Sequence, residues 1–256
     1  MVYFPFNGLM STHIVTEEKF QIEASDILYQ DEYLGILNKP HGLAMHKSRL
    51  VRNAQQFAVH ELKNYFEQKI HLVHRLDRKT SGILLFAFDA DVQSQLNAQF
   101  RNREVKKEYL ALVRGFVEPE FEIDYSLVSD KGKEQEAQTS VRRLEEFEIP
   151  IPSDQFETSR YSLVLLQPHQ GRYHQLRKHM AHIRHPIVGD RPHGCSKQNK
   201  IWRDCFNMTR MLLHASKLSF VHPISKDRVQ IEAPRSAIFN RSIDTLKKMN
   251  LINGQI

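Results

Sequence analysis

Cysteine is scarce. The 256 residues hold only Cys195 and Cys205, which form no CxxC pair. That excludes a disulfide-stapled secreted scaffold and points to a reducing compartment, the cytoplasm. Long apolar runs are missing too. The longest candidate, residues 83–88, is strand-sized, against the roughly 20 residues that span a bilayer. No GxGxxG, P-loop or GxSxG is present, so neither a nucleotide cofactor nor a serine hydrolase is indicated. The N-terminus has no basic start leading into an apolar stretch and does not read as a signal peptide.

The rest of the composition is that of a globular protein. Hydrophobic residues make up 41% and charged residues 26%, enough to bury a core and too balanced for disorder, collagen or a coiled coil. Lys and Arg number 36 against 30 Asp and Glu, a net charge of +6. An anionic partner fits that balance but is not required by it.

Periodicity organises the chain. Residues 1–25 have none and read as an extension, with Met10 a second candidate start. Two short apolar runs, 27–29 and 33–37, predict a hairpin. Asn38, Lys39, Pro40, His41 and Gly42 stop its second strand. Residues 54–68 predict a helix with Ala54, Phe57, Ala58, Leu62, Tyr65 and Phe66 on one face. A buried strand follows at 82–88. Asp89 or Asp91 then caps a helix striped by Val92, Leu96 and Phe100. Residues 107–116 alternate as a strand, with Tyr109, Ala111 and Val113 sharing a face. A strand at 160–166 leads to a turn at Gln170 and Gly171. A helix over 174–184 buries Leu176, Met180 and Ile183 and ends before Pro186. Residues 189–210 read as a polar loop, and 211–221 and 228–231 as closing strands. Strands outnumber helices and turns are short. The expected fold is α+β, a mixed and largely antiparallel sheet flanked by helices.

Three segments concentrate chemistry. Residues 71–82 place Asp77 between Arg75 and Arg78, so its carboxylate stays ionised if either guanidinium is near, and can serve as nucleophile or base. A solvated surface loop is the plainer alternative. Residues 158–189 contain no acid at all but hold Arg160, Arg172, Arg177, Lys178, Arg184 and five histidines, a positive field suited to phosphate. Arg177 lies beside the buried stripe of its helix and is placed to meet a carboxylate; a solvated basic face is the alternative. Residues 101–107 carry four cations against one Glu and lead into Tyr109, an arrangement suited to base stacking, although a strand tyrosine is more often core. His179, His182 and His185 recur every three residues. On a helix that fans their rings over a wide arc, and no carboxylate nearby completes a ligand set, so zinc is not expected.

Taken together, five ordered motifs over residues 27–234 resemble the RluA-type pseudouridine synthases. They are Asn38, Lys39, Pro40 and Gly42; His74, Arg75, Leu76, Asp77, Thr80, Ser81 and Gly82; Lys107, Tyr109 and Ala111; Gly171, Arg172, His174, Gln175, Leu176, Arg177 and His179; and Leu213, His214, Ala215, Leu218, Phe220, His222 and Pro223. Leu176 departs mildly from the usual isoleucine. Met45, His46, Lys47 and Ser48, with Gly189, Asp190, His193, Gly194 and Asn199, lean toward the members that act on tRNA.

The resemblance implies conversion of a uridine in RNA to pseudouridine, without cofactor or metal. It implies three catalytic residues: Asp77 as the catalytic aspartate, Tyr109 as the tyrosine that stacks on the uracil and helps remove the C5 proton, and Arg177 as partner of the aspartate. Arg75 would enter the RNA stack where the base flips out, with His74, Arg172 and His174 beside it at the RNA. It further implies a catalytic domain over 26–256 with no recognisable S4 module, and uridine 65 in the T stem of tRNA as target. A ribosomal RNA uridine, or a catalytically silent RNA-binding module, are the alternatives. No membrane partner is expected, and the sequence does not give the oligomeric state.

Overall fold

The computed structural model describes residues 20–46, 56–153 and 155–252. Most of the expected extension, the start of the 54–68 helix, and Lys47 and Ser48 lie outside these. The expected hairpin is β1 (Ile27–Gln30) and β2 (Leu34–Lys39), paired antiparallel. Asp31 shapes its turn by accepting from the backbone N–H groups of Tyr33 and Leu34. Helix α1 (Ala58–Phe66) buries Ala58 and Leu62 and stops at Glu67, which is left-handed at φ 53. After β3 (His71–Leu72) comes β4 (Ser81–Ala87), buried along its whole length. Asp89, not Asp91, caps α2 (Ala90–Arg101), accepting from the N–H groups of Asp91 and Val92.

Strand β5 (Lys106–Arg114) starts the second half of the chain. It is followed by β6 (Glu120–Asp124), β7 (Leu127–Val128), β8 (Glu134–Gln135), β9 (Gln138–Ile149) and β10 (Ser159–Pro168). Then come α3 (Gln175–His182), α4 (Ser196–Phe206), β11 (Leu213–Val221), β12 (Arg228–Glu232) and α5 (Ala237–Met249). Ten strands form one sheet along the path β1-β2-β4-β11-β5-β10-β9-β6, with β3 on β4 and β12 on β11; β7 and β8 pair separately. Among the named strands of the described residues only β4 and β11 pair in parallel, apart from an isolated parallel bridge between Ala44 and Phe57. The α+β architecture with a largely antiparallel sheet is therefore the observed one.

Alternation in β5 explains how the sheet is covered. Ala111 and Val113 face a core shared with Leu176 and Met180 of α3, whereas Leu112 faces a core shared with Trp202 of α4 and Phe239, Ile243 and Leu246 of α5. A third core lies under β2 and β4, against α1 and α2. Ile22 is buried in it and Phe20 packs on it, so the end of the expected extension is joined to the domain.

One expectation fails outright. Residues 189–210 are not a plain loop, because they contain α4. Its buried face is Gln198, hydrogen-bonded to Tyr161 and Ser153, and Trp202, with Phe206 packed beside them in a segment otherwise polar. Strand β9 and helix α5 carried no expectation.

The parallel joint fixes the segment that holds Asp77. Gly82 sits at φ +103, and a Cβ there would lie 2.1 Å from the Ala215 carbonyl oxygen. Only glycine allows β4 to approach β11 this closely. Next to it, the His214 ring donates from Nε2 to the Ala233 carbonyl, so its Nδ1 accepts the Ser81 hydroxyl at 3.0 Å.

Candidate active site

Asp77 lies on the connection between β3 and β4, where the Thr80 N–H donates to the Asp77 carbonyl and closes a turn. The exit of β2 clamps this loop. Gly42 N–H donates to the Arg78 carbonyl at 2.8 Å, and Arg78 Nε returns a bond to the Gly42 carbonyl at 2.9 Å. Lys39 is fully buried and donates to the carbonyls of Pro40, Leu43 and Arg78. Three acceptors call for three N–H groups, which only the ammonium has. Burial pulls the Lys39 pKa down to about 7, with the Asp77 charge opposing.

Arg177 enters from α3 and is 5% exposed. Nη1 donates to Asp77 Oδ2 at 2.9 Å, while Nε and Nη2 each reach an oxygen of Asp190 at 2.7 Å. The bidentate fork is therefore to Asp190, itself 1% exposed, and the bond to Asp77 is the single one. Burial works against the Arg177 charge, but the bonds to Asp190 and Asp77 outweigh it and raise its pKa further. The start of α3 is held by Gln175, whose Oε1 accepts from the Arg172 N–H and whose Nε2 donates to the Gln138 carbonyl.

These elements enclose a cavity of about 470 Å³, within the size range of small-molecule sites. All seven side chains singled out in the sequence line it: Asp77, Tyr109, Arg177, Arg75, His74, Arg172 and His174. Tyr109 is half-buried on β5; burial first, and the Asp77 charge second, push its phenol well above the usual range. The His74 ring accepts the Leu85 N–H at 3.0 Å and stacks on Phe100, and burial with Lys107 nearby lowers its pKa to about 4. It is a neutral part of the wall. Arg75 is exposed, with its guanidinium 5.5 Å from the centre of the Tyr173 ring. Arg172 Nε donates to the Glu136 carbonyl. His174, left-handed at φ 56, stacks on Tyr173 and bonds His193 through Nδ1. Arg101 and Lys107 complete the cationic lining, and Asp77 is its one carboxylate.

Two local expectations are corrected. Arg75 and Arg78 do not pair with Asp77, since one rests on Tyr173 and the other on Gly42; the partner comes from 100 residues away. Cations adjacent in sequence point elsewhere once the loop turns. Asp190, the first acid after the 158–189 window, is expected from sequence only as part of the tRNA-leaning motif and not as the main partner of Arg177. The histidines at every third position diverge. His179 donates from Nε2 to the Tyr125 carbonyl and accepts the Thr139 hydroxyl at Nδ1, His182 stacks on Tyr125, and His185 Nδ1 donates to the Arg114 carbonyl.

Asp77 has one oxygen tied and the other, Oδ1, without a hydrogen bond among the described residues. A carboxylate held this way, with a tyrosine in the same cationic cavity, is chemistry suited to an enzyme acting on a base-bearing polyanion. The RNA pseudouridylate synthase family matches residues 33–182. The tRNA pseudouridine synthase C of Vibrio vulnificus is 45% identical over 219 residues, 81% of this chain and 89% of that one. The protein of the same name from Haemophilus influenzae is 41% identical, covering 81% and 92%. The fold is also that of human RNA pseudouridylate synthase domain containing 4, with a TM-score of 0.67 at 24% identity over 87% of this chain and 93% of that one. The chain belongs to the RNA pseudouridylate synthase family, of the RluA type, and is an RNA pseudouridine synthase.

Proposed function

We propose that the protein converts one uridine of tRNA, uridine 65 of the T stem, to pseudouridine in the cytoplasm, with Asp77 as its catalytic residue. The reaction breaks the N1–C1′ bond, turns the uracil and joins C5 to C1′. The hydrogen on C5 leaves as a proton and N1 gains one, so the product is an isomer and no redox partner is needed. The observation that carries the reading is Asp77 held by Arg177, with Asp190 behind the arginine, facing a cationic cavity of about 470 Å³. Arg177 holds Oδ2, which leaves Oδ1 for the nucleoside. Tyr109 offers a ring face to the flipped uracil. Its raised pKa fits stacking and disfavours a phenolate as the base that takes the C5 proton.

A base in a stem must leave the stack before C1′ is reachable, at a cost of roughly a few kcal/mol. Arg75, exposed and resting on Tyr173, is placed to fill the vacated space. His74, Arg172 and His174 line the same entrance, His74 as a rigid wall and Arg172 as a phosphate contact. The names carried by the relatives support tRNA as the substrate class.

Tritium release from [5-³H]uridine-labelled transcripts tests the proposal, since joining at C5 must expel that hydrogen. Release from tRNA with EDTA present, lost in Asp77→Asn and in a transcript lacking uridine 65, is the expected result. Release from large-subunit ribosomal RNA alone would overturn the substrate. RNA bound with no release would overturn the activity.

A further inference from the structure

We infer that His193 is a positioning residue for this reaction: its hydrogen bond holds His174 as the Nε2–H tautomer, which turns a proton toward Asp77 Oδ2 and reserves Oδ1 for the uridine. The inference rests on Asp77 being the reacting carboxylate. His174 Nδ1 and His193 Nε2 are 2.9 Å apart, so one carries a hydrogen and the other accepts it. The remaining nitrogen of His174, Nε2, lies 3.6 Å from Asp77 Oδ2. Were His174 protonated at Nδ1, a bare lone pair would face the carboxylate. With His193 donating, an N–H faces it instead. The hydrogen on one nitrogen of a histidine is set by the bond its other nitrogen makes.

The loop carrying His193 is built to fixed dimensions. Asn199 on α4 donates to the Asp190 carbonyl at 2.7 Å and accepts the Gly189 N–H at 2.9 Å. A Cβ on Gly194 would lie 1.7 Å from that same carbonyl oxygen. The His193 N–H points at Asp190 Oδ1, the oxygen that also takes Arg177 Nη2. One acid thus locates both the arginine and the histidine behind Asp77. His193 is not among the residues that line the cavity, so it acts through His174 and does not touch the nucleoside.

Both rings are neutral around pH 7. Burial, with Arg177 and His193 adding, takes the His174 pKa to about 4 against the pull of Asp77 and Asp190. Burial also lowers that of His193, with Arg177 and Lys178 adding and Asp190 and Asp77 opposing.

Long-range nitrogen–proton NMR of the RNA-free protein reads the tautomer directly, with the His174 signals identified by their loss in His174→Gln. The Nε2–H form is expected in the wild type, and loss of that preference in His193→Leu. His193→Gln keeps a donor at the same reach and is expected to retain it. In tritium release, kcat should fall about 10-fold in His193→Leu, about 1.4 kcal/mol on the barrier. It should recover in His193→Gln, with KM little changed in either. An Nδ1–H His174 in the wild type would overturn the inference, and so would an unchanged tautomer and rate in His193→Leu. Because the NMR needs no RNA, a wrong substrate shows separately, as no release by the wild type.

Discussion

Asp77 and Asp190 share one arginine but stand in different surroundings. Asp77 is partly open and takes a single bond from Arg177, whereas Asp190 is closed off and takes two. Their substitutions should separate. Asp77→Asn is expected to abolish tritium release at a stability cost of about 1 kcal/mol or less. Arg177→Ala strands Asp190 without its counter-charge and is expected to cost roughly 3–5 kcal/mol as well as activity. Urea denaturation checks both; equal midpoints for wild type and Arg177→Ala would contradict the second. The arginine was legible in the sequence, because it flanks the stripe of Leu176 and Met180 in a window without acids. Its main partner was not, because nothing local says that a loop after α3 folds back across the helix. Lys39 stayed hidden for a related reason: its three acceptors are main-chain oxygens, and backbone carbonyls leave no mark in a sequence.

At the level of elements, the parts with a clean period were readable and those without were not. The β1–β2 hairpin and β4 follow from short apolar runs, β5 from alternation and α2 from a three-to-four repeat. Helix α4 hid because two of its three packing positions, Gln198 and Trp202, are a polar residue and a lone aromatic. Strand β9 hid because its alternation of Thr139 and Val141 with neighbours such as Arg142 reads as a charged segment. The parallel β4–β11 joint depends on Gly82 and gives a sharp test. Gly82→Ala combines a strained φ with a clash against immovable backbone and should cost more than about 3 kcal/mol, or prevent folding. Gly42→Ala has a comparable φ of +98 but nothing within 4 Å, so strain alone, about 1–2 kcal/mol, is expected there. Thermal melting of the two variants side by side checks the difference; similar losses would show that the close approach to Ala215 does not matter.

Over the whole molecule, a modest excess of positive charge is concentrated where it is useful. The net charge is only +6, yet five cations line the cavity against one carboxylate. RNA binding should weaken steeply with salt, as counterions are released from the phosphates. Arg172→Gln is expected to weaken binding of cognate and unrelated RNA alike and to lower the salt slope by about one. Filter binding across a salt series checks this; an unchanged slope would remove Arg172 from the phosphate contacts.

The sheet path carries a consequence for how the protein comes into being. Strand β11, made after both of its neighbours, is the piece that sits between β4 and β5. Until residues 213–221 leave the ribosome, the half bearing Asp77 and the half bearing Arg177 have no common spine. Until then the nascent chain lacks the finished candidate site, and the two halves close together across long sequence separations that slow folding. A chain truncated before β11 should carry Asp77, Arg177 and Asp190 and still be inert.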